Sequence, residues 1–481
     1  GGKWDTFIDK RYTNTAQWEK YAQNTYGGNG KSKIGAAQRH ATMISRVDDA
    51  MGDIVRLCHD LKIEKNTVIV FLSDNGPHDE PGAVNGFNGH PAPAQDPSFF
   101  RSYGPLDGIK RDTWEGGWRV PCVVYAPGLI KGGSHSSSFP CQFQDWMATF
   151  ADLAGVPSPM RCDGVSLVPT LTGSTGTQKT GTVYTEYFFP GGMAQYGTYA
   201  PNKKGRTRGE QQAIIFTAAD GKTLKAIRTN IKTGQEDFEI YDVDADTHEA
   251  NNIAAQYPDE QAKLRAAVLY NRRAFDYARD PQAGARRNGM TGTRNYDGNL
   301  VPPNDVAADA LTAGLRMRRV MAEVPWVPEF DTLPGAAEAE STVVEKPLEA
   351  ELPAGSVTQY RGYINVPDDG NHWHFYLTLP ETEGCKAYIR MHKFQLVDAD
   401  FNYKPGTTAD ESAAINAEEG IADRTGKRGI PIKAGLHEIE IVVVQGTSAP
   451  GKIRLEWNRG PKDGQQTPRV DVPDSAFRTA K

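Results

Sequence analysis

Asp74 and Asn75 stand side by side, directly after the unbroken apolar run Val68 to Leu72, and are followed by Gly76. A carboxylate next to a side-chain amide offers two hard oxygen donors, the kind that Ca²⁺ or Mg²⁺ prefers. The glycine lets the backbone turn away sharply without a Cβ clash. Further on, past a long Gly- and Pro-rich stretch, Lys110 supplies a compact positive charge suited to an anionic substrate group. His78, four residues beyond Asp74, is a candidate to reach a substrate or leaving group; the competing reading is a solvated loop histidine. For His90 the solvated reading is the stronger one, and His40 reads as a half-buried structural histidine on a helix.

These side chains need elements to hold them. The run Val68–Leu72 suits a strand buried on both faces of a parallel sheet, and in open α/β sheets ligands sit at the carboxyl ends of strands. Before it, Ala37, Ala41, Ile44, Val47, Met51, Ile54, Cys58 and Leu61 recur at spacings of three and four. This predicts an amphipathic helix over residues 34–62 with one stripe facing the sheet. Residues 119–125 read as a second buried strand. Residues 142–154 read as a helix with Phe143, Trp146, Met147, Phe150 and Leu153 on one side, stopped by Gly155 and Pro157. After Gly173 come four short strand patterns and a helix over 259–278, a small α+β unit. Within it, residues 201–210 (PNKKGRTRGE) are basic and read either as a solvated loop or as a contact for a sulfated polymer. Residues 281–309 lack periodicity and read as a linker. From about residue 311 the pattern alternates with period two, as in Trp373, Phe375 and Leu377 against His372, His374 and Tyr376, which predicts a β-sandwich.

The pairing of DNG after an apolar run with Lys110 and then Trp114, Glu115, Gly116, Gly117, Arg119 and Pro121 resembles the sulfatase family. The phrases ADLAGVPSP and EIYDVDADTHEANNIA resemble later parts of the same family. The resemblance covers roughly the first 280 residues. It implies an α/β fold: part of an alkaline-phosphatase-like sulfatase sheet over residues 1–175, a small C-terminal α+β subdomain over 176–280, a linker over 281–310 and an all-β sandwich over 311–481. It also implies sulfate-ester hydrolysis with Asp74 and Asn75 as Ca²⁺ ligands, Lys110 on the sulfate, and Glu115 and Arg119 as supporting residues. The family's nucleophile is a formylglycine made within C/S-x-P-x-R, and no such motif occurs in these 481 residues. Cys162, in RCDGVS, lacks both the Pro and the Arg. The family's other acidic ligands are absent too, so the expectation is the C-terminal part of a sulfatase-like protein, inactive by itself. The opening GGKWDTF, without Met or a signal peptide, agrees with an excised or truncated piece. The order GYINVPDDGNHWHFYLT, IPIKAGLHEIEIVVVQ, IRLEWNRGP resembles the protective-antigen-type sandwich, which implies glycan binding or an adaptor role, and a secreted, periplasmic or cell-surface location.

Composition bounds the partners. The 24% charged and 38% hydrophobic residues are those of a globular protein. A net charge of −6 gives no general attraction for nucleic acid, so sulfate recognition has to be local. No apolar run approaches a membrane span. Five cysteines without C-x-x-C give no structural zinc site and leave open whether Cys141 and Cys162 bridge. A sulfated glycan is the expected substrate. Two alternatives stand beside it: a non-catalytic glycan-binding protein with a vestigial sulfatase half, and another alkaline-phosphatase-like phosphoric ester hydrolase. Oligomeric state is open.

Overall fold

The computed structural model describes residues 8–13, 16, 31–78, 97, 98, 100–131, 137, 139–272, 299–400, 408–410, 430–460 and 467–481. His90, most of the stretch between Pro77 and Ile109, the side chain of His372 and residues 273–298 fall outside them.

The helix expected near residue 34 is present as α1, Lys31–Asp60. Its apolar stripe does not face a sheet: Ile44, Val47, Ile54, Leu57 and Leu61 are exposed. Of that stripe Ala37 and Cys58 are buried, and polar contacts accompany them. Gln38 Nε2 donates to the Tyr12 carbonyl at 2.6 Å, Thr42 Oγ1 accepts from the Asp9 amide at 3.0 Å, and Tyr12 Oη lies 2.5 Å from Ser45 Oγ. The apolar run after α1 forms β1, Ile69–Leu72, and the second expected strand forms β2, Cys122–Tyr125. The two pair antiparallel, Ile69 opposite Tyr125 and Leu72 opposite Cys122, as a two-stranded sheet. This corrects the expectation of parallel strands buried on both faces, since Phe71, Val123 and Tyr125 are exposed. The physical reason is area. Among the described residues two four-residue strands cannot cover a 30-residue helix, so the apolar periodicity is present without a covering layer.

A four-residue helix α2, Glu115–Trp118, precedes β2, and α3, Asp145–Leu153, follows it. On α3 Trp146, Ala148 and Ala151 are buried, while Met147 and Phe150, and Phe143 just before the helix, are exposed. A short helix α4, Val168–Thr172, ends at Gly173 in the left-handed conformation, the usual C-terminal stop. Then β3 (Tyr184–Gly192), β4 (Thr207–Thr217), β5 (Thr223–Thr229) and β6 (Glu239–Tyr241) form an antiparallel sheet in sequence order, followed by α5, Glu260–Asn271.

Period-two alternation gives this sheet two different faces. Leu224, Ala226, Ile214 and Ile240 pack on Leu264 and Val268 of α5. Ala213, Ile227 and Tyr241 face the other way, onto Tyr103, Ile109 and Trp114 of the loop that carries Lys110. The basic stretch 201–210 is only in part a solvated turn, with Pro201, Asn202, Lys204 and Gly205 exposed. Lys203 is fully buried, Arg206 is paired with Glu239, and Arg208 is paired with Asp112 at 2.6 Å.

Residues 311–481 form two antiparallel sheets of eight and five strands around one core that holds Trp373, Phe375, Leu377, Ile441, Leu455 and Trp457. The alternating His374 is also buried. The end of the stretch expected to be a linker is ordered on these sheets: Val301 bridges Ile432 and the Asn304 amide donates to the Leu436 carbonyl at 2.7 Å. The sheets dock on the rest of the chain at two places. At one, the Met160 amide donates to the Val327 carbonyl at 2.8 Å and Arg161 pairs with the buried Asp398. At the other, Tyr270 of α5 stacks on His392, ring centres 3.9 Å apart.

His392 Nε2 and His437 Nδ1 lie 3.0 Å apart, and His437 Nε2 donates to the Lys433 carbonyl at 2.7 Å. Burial, reinforced by His437 and Lys393, pushes the His392 imidazole down to about 3, and burial pushes His437 down to about 4. The unfolded chain therefore binds protons that the folded pair refuses, so their contribution is whole above about pH 6.5 and is lost as pH falls toward those values. Lowering pH from 7 to 5 should destabilise the chain by about 1–2 kcal/mol per imidazole, read from urea midpoints at each pH. His437→Gln, which removes one of the two imidazoles, should flatten that dependence; an unchanged slope would show that the pair does not report on folding.

Candidate active-site groove

The tip of β1 is fixed by backbone contacts. The Gly76 amide donates to the Gly117 carbonyl at 2.9 Å, the Lys110 amide to the Pro77 carbonyl at 2.9 Å, and the Gly116 amide to the Asp107 carbonyl at 2.8 Å. The glycines here are required by closeness rather than by flexibility. A Cβ on Gly76 would lie 1.9 Å from the Gly116 carbonyl oxygen, and one on Gly117 would lie 2.2 Å from that of Asp112. Both backbones must approach within the space a side chain would occupy.

Behind this contact sits a buried charge cluster. The Glu115 amide, at the start of α2, donates to Glu249 Oε2 at 2.9 Å. Lys225 Nζ, fully buried on β5, lies 2.9 Å from Glu115 Oε1 and 2.9 Å from Glu249 Oε1. Trp118 Nε1 also donates to Glu115 Oε1, at 2.8 Å. Burial raises the cost of charging Glu115, but the charge and hydrogen bond of Lys225 outweigh it and hold the carboxyl below its ordinary range. Glu249 is pushed up by burial, which Lys225 only partly offsets. Above the same loop, Lys203 Nζ sits 3.2 Å from the centre of the Trp114 ring and 4.5 Å from that of Tyr241, a cation held on two aromatic faces.

In front of the cluster lies a groove of about 980 Å³, lined among others by Asp74, Asn75, Lys110, Arg111, Thr185 and Tyr187. Asp74 is exposed; its Oδ1 accepts from the Asn75 amide at 2.9 Å. Asn75 Nδ2 donates to the Gly76 carbonyl at 2.9 Å, which turns the amide so that Oδ1 remains for another partner. Lys110 is half-buried, and its ammonium forms no ion pair among the described residues. The structure thus brings Asp74, Asn75 and Lys110 to one cavity. His78 is exposed beside Pro77 and is not part of the groove's lining.

Two protein oxygens are a fraction of the six to eight that Ca²⁺ takes, and among the described residues no three His, Cys, Asp or Glu side chains gather as a metal site. The donor chemistry fits part of a hard-cation shell. No thiol is poised as a nucleophile. All five cysteines are free, which answers the question about Cys141 and Cys162. Cys141 is pushed up to about 11 by burial and by Asp145, and burial also raises Cys162, whose thiol donates to the Gln144 carbonyl at 3.3 Å.

A family model described as Sulfatase matches residues 7–156, the part that holds β1, Lys110 and α2. This segment is similar to the sulfatase family. The N-acetylgalactosamine-6-sulfatase of Canis lupus familiaris is 31% identical over 150 residues, 30% of this chain and 26% of that protein. The arylsulfatase of Hemicentrotus pulcherrimus is 35% identical over 131 residues, 27% of this chain and 21% of that one. The steryl-sulfatase of Homo sapiens is 32% identical over 152 residues, covering 30% and 23%. The chain spans about a quarter of the length of these relatives. Among solved structures, a phosphonate monoester hydrolase from Silicibacter pomeroyi is similar at 16% identity and a TM-score of 0.33, covering 57% of this chain and 48% of that one.

The sulfatase segment is supported by residues far away in sequence. Lys225 and Glu249 were not singled out as site residues, because nothing local links Lys225 to Glu115. The one available signal was a lysine at an otherwise apolar strand position of TLKAIRT. Replacing Lys225 with Met should cost about 3–5 kcal/mol, because two buried carboxyls lose their counter-charge. Adding Glu115→Gln and Glu249→Gln should recover part of that loss. Thermal or urea unfolding of the single and triple variants measures both, and a Lys225→Met chain as stable as the parent would contradict the account.

Proposed function

We propose that the groove is part of a sulfate-ester hydrolase site, with the remaining ligands and the nucleophile supplied by sulfatase sequence outside these 481 residues. The observation that carries this reading is the shared cavity of Asp74, Asn75 and Lys110 in front of the Glu115–Lys225–Glu249 cluster. Asp74 carboxylate and Asn75 Oδ1 would hold the cation, and Lys110 would bind the sulfate oxygens as a point charge. A bound Ca²⁺ would act as a Lewis acid on the sulfate group. Glu115 and Glu249 hold the loop and stay clear of the substrate, since both carboxyls are committed to Lys225.

The substrate class in this reading is a sulfated glycan. It is supported by the open groove with an exposed tyrosine wall and by the resemblance of the C-terminal sheets to a module found on carbohydrate-active enzymes. An exported location belongs to the same proposal; five unbridged thiols lend it no support from redox chemistry. Among the described residues no helix is long and apolar enough to cross a membrane.

Calorimetric titration of the purified chain with Ca²⁺ and with inorganic sulfate tests the assignment. Asp74→Ala should weaken Ca²⁺ binding and leave the fold intact. Lys110→Ala should weaken sulfate binding and spare Ca²⁺. In the protein carrying a complete sulfatase domain, each change should lower desulfation of a sulfated oligosaccharide by roughly 100-fold or more. Full activity in both variants would remove these residues from the site.

A further inference from the structure

Lys203 is a buried cation that the sulfate reading does not use. It is fully buried, and its ammonium lies 3.2 Å from the centre of the Trp114 ring, 4.5 Å from that of Tyr241 and 3.5 Å from the Tyr241 hydroxyl. A buried ammonium is ordinarily paired with a carboxylate. Here the two carboxyls that face it are taken, Glu239 by Arg206 and Glu249 by Lys225. Burial pushes the amine down to about 7, against the pull of Glu249 and Glu239 and with the repulsion of Arg206 and Lys225. The unfolded chain holds that proton up to about pH 10. The contribution of Lys203 to stability is therefore whole above that pH and is lost as pH falls toward 7. At neutral pH and below, its charge works against folding, which marks a group kept for another purpose.

What that charge touches is the base of the groove. Trp114 is fully buried, and its ring carries Arg206 as well, 5.1 Å from the centre. The Gly117 amide donates to the Trp114 carbonyl at 2.8 Å, and the Gly117 carbonyl in turn accepts from Gly76, next to Asn75. Trp114 also packs in one cluster with Ile109, next to Lys110. The turn that carries Lys203 is tied to the same loop. The Lys203 amide donates to the Ala200 carbonyl at 3.0 Å, and the Ala200 amide donates to the buried Asp107 Oδ2 at 2.8 Å. Asp107 Oδ1 lies 2.9 Å from His248 Nδ1. A single indole ring thus stands between the buried ammonium and the two backbones that present Asn75 and Lys110.

We propose that Lys203 is a positioning residue for the groove. Its ammonium, held on the Trp114 ring, fixes the loop of Lys110 against the β1 tip, and the groove's grip on an anion follows that charge. The inference rests on the sulfate-ester reading of the groove. Lys203 touches no substrate; it acts through Trp114, and the groove weakens when the amine is neutral.

The full chain labelled with 5-fluorotryptophan, with Trp114→Phe to assign the signal, reads the ring directly by fluorine NMR from about pH 6 to about pH 9. The Trp114 signal should move through a single titration in the parent and stay still in Lys203→Met. Lys203→Arg, which keeps a cation on the ring, should hold the signal at its low-pH position. His248→Gln removes the other ionisable group on this loop and should leave the titration in place. Calorimetry with inorganic sulfate reads the groove. At about pH 6.5 Lys203→Met should bind sulfate roughly fivefold more weakly than the parent, the size of one cation–π contact, with Lys203→Arg close to the parent. The parent should approach the weaker value as pH rises to about 8.5, and Lys203→Met should stay flat. The urea midpoint of Lys203→Met at about pH 7 should equal or exceed the parent's, which separates positioning from folding. The proposal is overturned by a Trp114 signal that does not titrate, by a titration that survives Lys203→Met or is lost in His248→Gln, by an unchanged sulfate Kd in Lys203→Met, or by a lower urea midpoint in that variant. Lys110→Ala reports separately: if it binds sulfate as tightly as the parent, or the parent binds none, the sulfate reading itself fails and this inference falls with it.

Discussion

A single buried ammonium, Lys225 Nζ between Glu115 and Glu249, is the interaction on which the site's geometry depends. Removing a lysine and two carboxyls from water is expensive, and their attraction offsets that cost only when every group is also hydrogen-bonded. Here the extra bonds come from the Glu115 amide to Glu249 and from the Trp118 indole to Glu115. Such a cluster contributes less to net stability than to uniqueness of position. It allows one placement of α2 on the β5 strand. Because Gly117 of α2 accepts from Gly76, it also allows one placement of the β1 tip that carries Asp74 and Asn75.

The glycines make that transmission stiff. Gly76, Gly116 and Gly117 bring three stretches of backbone into direct contact, each within less than 2.5 Å of where a Cβ would stand. With no side chain between them, a shift in α2 cannot be absorbed by a rotamer change and is passed to Asn75 and Lys110. Stiffness of this kind keeps the Asp74 and Asn75 oxygens at a fixed spacing.

What was legible in the sequence follows from which signals are local. The strand ending in Asp74–Asn75–Gly76, the helix beginning near residue 31, the four strands after Gly173 and the alternation in Trp373–Phe375–Leu377 all arise from neighbouring residues, and each forms near its expected place. What covers an apolar stripe is not local. Periodicity in α1 predicted a stripe facing the sheet with Ile44 and Val47 in it, yet these side chains are exposed. Strand direction was equally out of reach, since Val68–Leu72 reads the same in a parallel or an antiparallel pair. The basic stretch around Lys203 misled for a related reason. Charge density suggests solvent, and only the Trp114 and Tyr241 faces, contributed from elsewhere, explain why this lysine is buried. In the groove, Asp74, Asn75 and Lys110 were legible as neighbours, and the residues that hold them were not.

The sheet β3–β6 couples the groove to the rest of the molecule. One face carries Ile227 and Tyr241 against the loop of Trp114, and the other carries Leu224 and Ala226 against α5. The same helix turns Leu269 and Tyr270 toward the core of the C-terminal sheets, and Tyr270 stacks on His392 there. The layers therefore run groove loop, β-sheet, helix, C-terminal sheets, with an apolar contact at each boundary. Close-packed layers of this kind transmit strain from one to the next. The Arg161–Asp398 pair and the Met160–Val327 hydrogen bond close a second connection through the segment after α3.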